Sequence, residues 1–579
     1  MAQPDKSDLE GRRKALNDLL AEQWEYQLRT SPEFATILGD KRYNDKLSDF
    51  SQKAIDDDLQ LTQKFLTRFE AIDATGFPEQ EELNKTLMVR QLREHLEESQ
   101  FKPWEMPVNQ MSGIHTELPQ FVPLLPFTNV KDYEDYIARL KQVPRAFDQV
   151  MIQMRNGMRD GLMPPKFLLE KVVTQSQAIA DMAPDKTPFA QPVNKFPDGI
   201  SAADQKRLHD AVLEQIQVSV LPTYAKFAQF VKDDYAPKGR TEAGVWSLPN
   251  GAERYAFAVR QATTTNLTPE QIHQIGVQQV AELEAQMLAI AKKLGYPDTK
   301  SLNVAIENDP KLHDRLYAHS RQQILDLYRK DINQMWDQLP KLFGRLPKAK
   351  LEVMPIEEFQ EKEASTHYDQ GTPDGSRPGH VLVNTGDFEH RKLISVESTA
   401  YHEGVPGHHM QVSIAQELPT LPPFRQQGFY IAYGEGWALY SEKLGKEIGF
   451  YQDPYSDYGR LQDEMLRAIR LVADTGYHYK KWTREQVVDY FHAHSDIDEP
   501  DVQSETDRYM VWPGQALGYK IGQLKILELR ERSRKEIGDK FDIRAFHDEV
   551  LSAGALPLDV LDQRINEWIA AQKNVAMAH

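Results

Sequence analysis

The chain has 579 residues, no cysteine and a formal net charge of −18. Such a length buries a large core and ordinarily splits into two domains, while the lack of cysteine removes disulfides, a catalytic thiol and thiolate metal ligands together. The acidic balance argues against nucleic acid or an anionic membrane as partner, because phosphate binding needs a basic surface; no apolar run approaches the roughly 18 to 20 residues that span a bilayer.

Helical periodicity dominates from the N-terminus onward. Residues 9–30, 52–72, 79–99, 130–160 and 203–233 read as long amphipathic helices, separated by proline-rich loops such as Lys102-Pro-Trp-Glu-Met-Pro and the stretch from Leu118 to Pro126. They predict an N-terminal helical lobe over 1–260. A second set, near 268–295, 308–344, 395–416, 427–449, 457–479, 483–493, 514–537 and 543–552, predicts a second, catalytic lobe over 261–579. There is no fixed-period repeat and no low-complexity tract. The predicted fold class is mainly α.

Two short β-like segments, Lys350-Leu-Glu-Val-Met-Pro and His380-Val-Leu-Val-Asn-Thr, interrupt the helices, so a small sheet is expected at about 350–385. A sheet edge beside a catalytic helix can take an extended peptide as an added strand; a purely structural sheet is an equal reading. Gly371-Thr-Pro-Asp-Gly-Ser-Arg-Pro-Gly379 between them is a loop and a candidate lid.

The segment from Ala400 to Gln411 contains His402, Glu403, Pro406, Gly407, His408 and His409. In the His-Glu-x-x-His motif two histidines four apart, about 6 Å along one helical face, meet on a Zn²⁺ while the glutamate polarises the attacking water. Here the second histidine is six residues on, about 9 Å along an unbroken helix and rotated away. Pro406, which lacks an N–H, and Gly407, which tolerates unusual dihedrals, predict that two residues loop out and return His408 to His402. Downstream, Gly434-Glu-Gly-Trp-Ala-Leu-Tyr-Ser-Glu442 has helical character and supplies Glu435 as the third ligand. Glu442, two turns along the same face, is a partner of a ligand or the ligand itself under a shifted register. The expected cofactor is one zinc ion.

These segments, with Arg470-Leu-Val-Ala-Asp-Thr-Gly-Tyr-His478, Trp512-Pro-Gly-Gln-Ala-Leu-Gly-Tyr-Lys520 and Phe546-His-Asp-Glu-Val-Leu, resemble the bacterial family catalogued as domain of unknown function 885. The resemblance runs over most of the chain and is densest at 370–565. That family in turn resembles the helical zinc metallopeptidases that include thermostable carboxypeptidases, oligopeptidases and angiotensin-converting enzyme. The resemblance implies a two-lobed helical peptidase with a deep cleft and one zinc. It carries over His402, His408 and Glu435 as ligands and Glu403 as base, with short peptides as substrate. The Pro-Gly insertion departs from the relatives' motif and leaves His409 beside His408 as a ligand candidate. A tyrosine in a similarly placed aromatic segment donates to the oxyanion in those relatives; Tyr509 matches that position, with Tyr519 as the second candidate.

On 457–479, Arg467, Arg470, Asp474 and His478 form one helical stripe. Such a stripe is ordinarily a solvated face. Buried against the zinc helices, Asp474 would orient a ligand imidazole and Arg470 would meet a peptide carboxylate. His547 and Asp548 are adjacent on a helix and diverge, so a structural role is expected, and His367, His380 and His390 are expected not to be ligands. The polar start, from Met1 to Asp8, has no apolar signal core. A mature exported enzyme and a cytoplasmic one both fit; the resemblance leans to periplasmic or exported. Two rival readings remain, a catalytically inactive peptide-binding protein of the same fold and a metal-free helical scaffold.

Overall fold

Long helices form where the apolar period is sustained, and prolines set their starts. The computed structural model describes residues 6–356, 361, 365–375 and 377–577, and the chain divides into two units, Met1–Gly251 and Ala252–His579. The fold is mainly helical with one small sheet.

In the first unit, helices α1 (Lys6–Thr30), α2 (Gln52–Ala71) and α3 (Glu79–Ser99) follow the predicted spans closely. The helix predicted over 130–160 is two, α4 (Val130–Leu140) and α5 (Val143–Asp160). Pro144, in the first turn of α5, has no N–H to continue the α4 ladder. The core is aromatic, built on Tyr133, Tyr136, Phe147, Tyr224 and Phe227. Arg139 lies buried within it and donates to the Lys46, Pro32 and Tyr43 carbonyls and the Thr36 hydroxyl, tying the 32–46 segment to α4.

The second unit contains α6 (Pro269–Lys293), whose start is fixed by a capping box between Thr268 and Gln271. The predicted 308–344 helix is three pieces, Pro310–Leu316, α7 (Arg321–Trp336) and Leu339–Leu342, divided where Pro310 and Pro340 begin new turns and Ser320 caps α7. The sheet has three strands, β1 (Leu351–Pro355), β2 (His367–Asp369) and β3 (Gly379–Val383), in the order β1-β3-β2. β1 runs parallel to β3 and β2 antiparallel. β2 is absent from the sequence prediction, since three residues carry too little alternation to register. Ile356 N–H bonds Val383 O and Gly379 N–H bonds Lys350 O, each at 2.9–3.0 Å. The backbones of Leu351, Val353 and Pro355 therefore face away from β3, where a proline costs no ladder bond. A groove of about 400 Å³ runs between α7 and this edge.

The remaining helices used below are α8 (Val396–Glu403), α9 (His408–Gln416), α10 (Ile431–Glu447), α11 (Pro454–His478), α12 (Glu499–Val511), α13 (Gly518–Ile537) and α14 (Ile543–Leu551). α10 and α13 touch backbone to backbone. A Cβ on Gly522 would stand 1.8 Å from the Ala432 carbonyl oxygen, and one on Gly436 2.4 Å from Gly522 Cα. Beside this contact a buried network joins α11 to α13, with Lys520 Nζ 2.6 Å from Glu464 and 2.8 Å from Gln523, and Arg460 3.2 Å from Glu464. Burial would raise the Glu464 carboxyl, but Lys520 and Arg460 hold it down at about 2. Among the described residues no helix is long and apolar enough to cross a membrane.

Gly522→Ala should force α10 and α13 apart. We expect a loss on the order of 1–3 kcal/mol, read as a lower thermal midpoint, whereas Ala substitution at Gly11 in α1 costs far less, because nothing stands within 4 Å of its Cβ position and its backbone is helical.

Candidate metal centre

The predicted 395–416 helix breaks at the motif. Gly404 N–H closes α8 on Ala400 O, the chain passes a cis Val405–Pro406 bond, and α9 begins at His408. Gly407 N–H then bonds Tyr401 O at 3.0 Å and His409 N–H bonds Gly404 O at 3.1 Å, so the protruding residues stay within a hydrogen-bonded frame. A Cβ on Gly407 would lie 1.9 Å from His402 O and 2.4 Å from Tyr401 O, so only glycine fits. From α10, Trp437 Nε1 donates to Pro406 O at 2.8 Å and pins the protrusion from behind. The two extra residues are thereby taken up, and the His402 and His408 rings meet nearly perpendicular with centroids 4.9 Å apart.

Glu435, in the second turn of α10, completes the set. Its Oε2 stands 3.5 Å from His402 Nε2 and 3.4 Å from His408 Nε2, and one donor atom from each residue falls within 4.8 Å of the others. Two imidazole nitrogens and one carboxylate oxygen form a three-ligand set of the kind that leaves a fourth position open on zinc. His402 Nδ1–H donates to Glu442 Oε1 at 2.7 Å, which aims Nε2 at the other two ligands. Glu442 thus sits behind a ligand, and its Oε2 is buried without a hydrogen-bond partner. Burial alone would lower the His402 pKa, but Glu435 and Glu442 raise it to about 10. Burial would raise Glu435, yet His408 and His402 hold it well below the usual carboxylate range. The cage therefore calls for positive charge, which protons or a divalent cation can supply. Glu403 ends α8 half-buried beside His402, and its charge reaches the buried Tyr328 of α7.

The structure brings His408, and not His409, to this cage. His409 Nε2–H donates to Ala349 O at 3.2 Å and its Nδ1 accepts from the Tyr368 hydroxyl at 3.2 Å, joining α9 to the sheet; burial pushes it down to about 4. Tyr509 is fully buried and its hydroxyl donates to Glu505. Tyr519 lies under the Arg470 guanidinium at 4.6 Å and accepts from Arg508 at 3.4 Å. The stripe on α11 is buried at Arg470, Asp474 and His478 and partly exposed only at Arg467. Arg470 makes a two-pronged pair with Glu505 at 2.9 Å, and His478 donates to Tyr509 O. Asp474 orients no ligand imidazole; it accepts from the Tyr255 hydroxyl at 2.6 Å and Gly514 N–H at 2.9 Å, and burial pushes it up to about 7. His547 bridges Leu342 O and the Tyr440 hydroxyl, Asp548 accepts from Gly344 and Arg345 N–H, and both are structural. His367 and His390 bond Ser365 O and Asp387, and His380 sits on β3 facing Glu352 at 3.8 Å. In the loop of the candidate lid, Thr372 N–H bonds Arg377 O and Gln416 reaches Gly371 O; residue 376 lies outside the described residues.

Sequence reasoning misses one neighbour of the cage. The Ser398 hydroxyl donates to Asp463 of α11, whose carboxyl is pushed up to about 6 by burial and feels Arg467, Glu442 and His402. Ser398 stands four residues before His402, but nothing local couples it to Asp463.

The fold and site define a mainly helical protein with a His-His-Glu cluster that could hold a metal ion. The chain belongs to the bacterial proteins of unknown function DUF885, whose family model matches residues 32–565. A crystal structure described as that of "the putative lipoprotein" from Colwellia psychrerythraea is similar, at 30% identity and a TM-score of 0.92, over 97% of this chain and all of that one. A second solved structure, from Shewanella oneidensis and described in like terms, shares the fold at 18% identity and a TM-score of 0.70, over 95% of this chain and 99% of that one. No curated protein matches the chain.

Zinc-loaded protein should hold one equivalent by elemental analysis after dialysis, and His402→Ala or Glu435→Ala should hold almost none. Glu442→Gln should keep the stoichiometry but weaken affinity about 10- to 100-fold, because His402 loses its orienting acceptor charge.

Proposed function

We propose that the protein is a zinc-dependent peptidase of the helical metallopeptidase kind, acting on short peptides. One observation carries this reading: a carboxylate, Glu403, directly follows a ligand histidine whose second nitrogen is held by another carboxylate, Glu442. Bound at His402, His408 and Glu435, Zn²⁺ would acidify a water and polarise the scissile carbonyl. Glu403 takes the proton from the attacking water and returns it to the leaving amine. Glu442 keeps His402 in the tautomer that presents Nε2, and Trp437 holds the protrusion that places His408. The Tyr509 hydroxyl is already given to Glu505, so Tyr519, whose oxygen accepts from Arg508 and whose proton remains available, is the better oxyanion donor. The outward edge of β1 and its groove against α7 suit an extended peptide: Ile332 in the groove wall abuts Gly404 of the protrusion, and the N–H groups of Leu351 and Val353 point outward. The relatives described as lipoproteins support an exported, periplasmic location.

A defined mixture of short peptides, read by mass spectrometry, tests the reading. Wild type should generate products that disappear with Glu403→Gln, with a fall of at least about 100-fold from loss of the proton carrier, and with chelator, and return with zinc. Identical product from wild type and Glu403→Gln would sink the mechanism. Zinc bound without turnover would leave an inactive peptide-binding protein.

A further inference from the structure

In a chain of net charge −18, three arginines are nearly withdrawn from solvent on the α11 side of the metal centre. Arg467 and Arg470 follow Asp463 by four and seven residues and share its helical face, and α12 contributes Arg508. Their side chains are 17%, 6% and 18% exposed. Two carboxylates oppose them, and neither is sufficient. Glu505 is divided among Arg470 at 2.9 Å, Arg508 at 3.3 Å and the Tyr509 hydroxyl. Asp463 stands 3.8 Å from Arg467, beyond hydrogen-bond range, and is occupied by Ser398. Arg467 donates to the Asp463 backbone carbonyl at 3.1 Å, and Arg508 to Gln515 at 2.7 Å. The Nε–H groups of both Arg467 and Arg508 are buried and have no hydrogen-bond partner.

A buried guanidinium with an unmet N–H is costly unless something completes it. The place is one side chain removed from the cage, since Asp463 interacts with Arg467 on one side and with Glu442 and His402 on the other. Tyr519, stacked under Arg470 and bonded to Arg508, ties those two together, and Arg467 lies one turn before Arg470 on α11. A planar anion with two oxygens has the shape that a guanidinium fork matches best.

We propose that Arg467 and Arg508, braced by Arg470 and Tyr519, capture the C-terminal carboxylate of the substrate, so that the enzyme trims peptides from their C-termini. This assignment rests on the peptidase reading of the same site. It sets the cut by the distance from the arginines to the metal centre, and it excludes substrates whose terminus is blocked.

The test uses one dansylated pentapeptide in three forms, the free acid, the C-terminal amide, and an amide whose last residue is glutamate. Binding is read by fluorescence anisotropy to Glu403→Gln protein in zinc-containing buffer. The free acid should bind about 10- to 100-fold more tightly than either amide. Arg467→Ala and Arg508→Ala, added singly, should each remove most of that difference, while Arg467→Lys should retain part of it and shows whether a loss reflects charge or misfolding. Equal affinity for acid and plain amide overturns the proposal, as does no binding of any form, or a preference that survives both alanine substitutions. A glutamate amide that binds as well as the free acid overturns the terminal assignment in favour of acidic side chains. Because binding is read without turnover, a carboxylate preference alongside a wild type that cleaves nothing would sink the peptidase reading and spare the subsite.

Discussion

The candidate site depends on how closely the chain can pass its own carbonyls at Gly407. A helix cannot bring residues six apart onto one ion, so the polypeptide must leave the helical path after Glu403 and regain it at His408 within four residues. It does so by laying Gly407 against the His402 and Tyr401 carbonyls, closer than any side chain permits, and by handing the Pro406 carbonyl to Trp437. Trp437 lies two residues beyond Glu435 on the same helix. The helix that supplies the third candidate ligand therefore also anchors the loop that places the second.

Charge is distributed in two opposed groups around this frame. On the cage side, Glu435 and Glu442 flank His402 and impose a demand for a cation. On the α11 side, Arg467, Arg470 and Arg508 exceed the carboxylates that face them, and Asp463 lies between the groups. On the proposed reading, a field of this form would orient a peptide, with its polar carbonyl and terminal negative charge, before any side chain is recognised.

The parts of the site legible in the sequence are those governed by local spacing. His402, Glu403 and the protrusion before His408 follow from Pro406 and Gly407, and Glu435 and Glu442 share a face because seven residues make two turns. The helical class is legible for the same reason, and the breaks at 141–142 and 317–320 fall near prolines and a serine cap whose punctuation the broad periodicity obscures. What spacing cannot convey is which distant residue fills the space behind a ligand. Asp463 meets Ser398 across 65 positions, Arg470 meets Glu505 across 35, and Asp474 turns to Tyr255, away from the histidines. These are tertiary pairings, set by how α11 packs among its neighbours, and they decide which predicted polar residue faces the cage.

The glycine contact between α10 and α13 has a consequence for how such a centre varies among homologous sequences. Where two helices meet through backbone alone, their separation is a fixed length without the tolerance that interdigitating side chains provide. Glu435 precedes Gly436, so the reach of its carboxylate is measured from that fixed length, and metal coordination tolerates only about 0.2 Å of error. Drift in the surrounding core can be absorbed by repacking, but drift at Gly436 or Gly522 is transmitted undiminished to the ligand. The pair acts as a gauge block for the candidate metal site, and its second member, Gly522, stands outside the segments that the motif reading singles out.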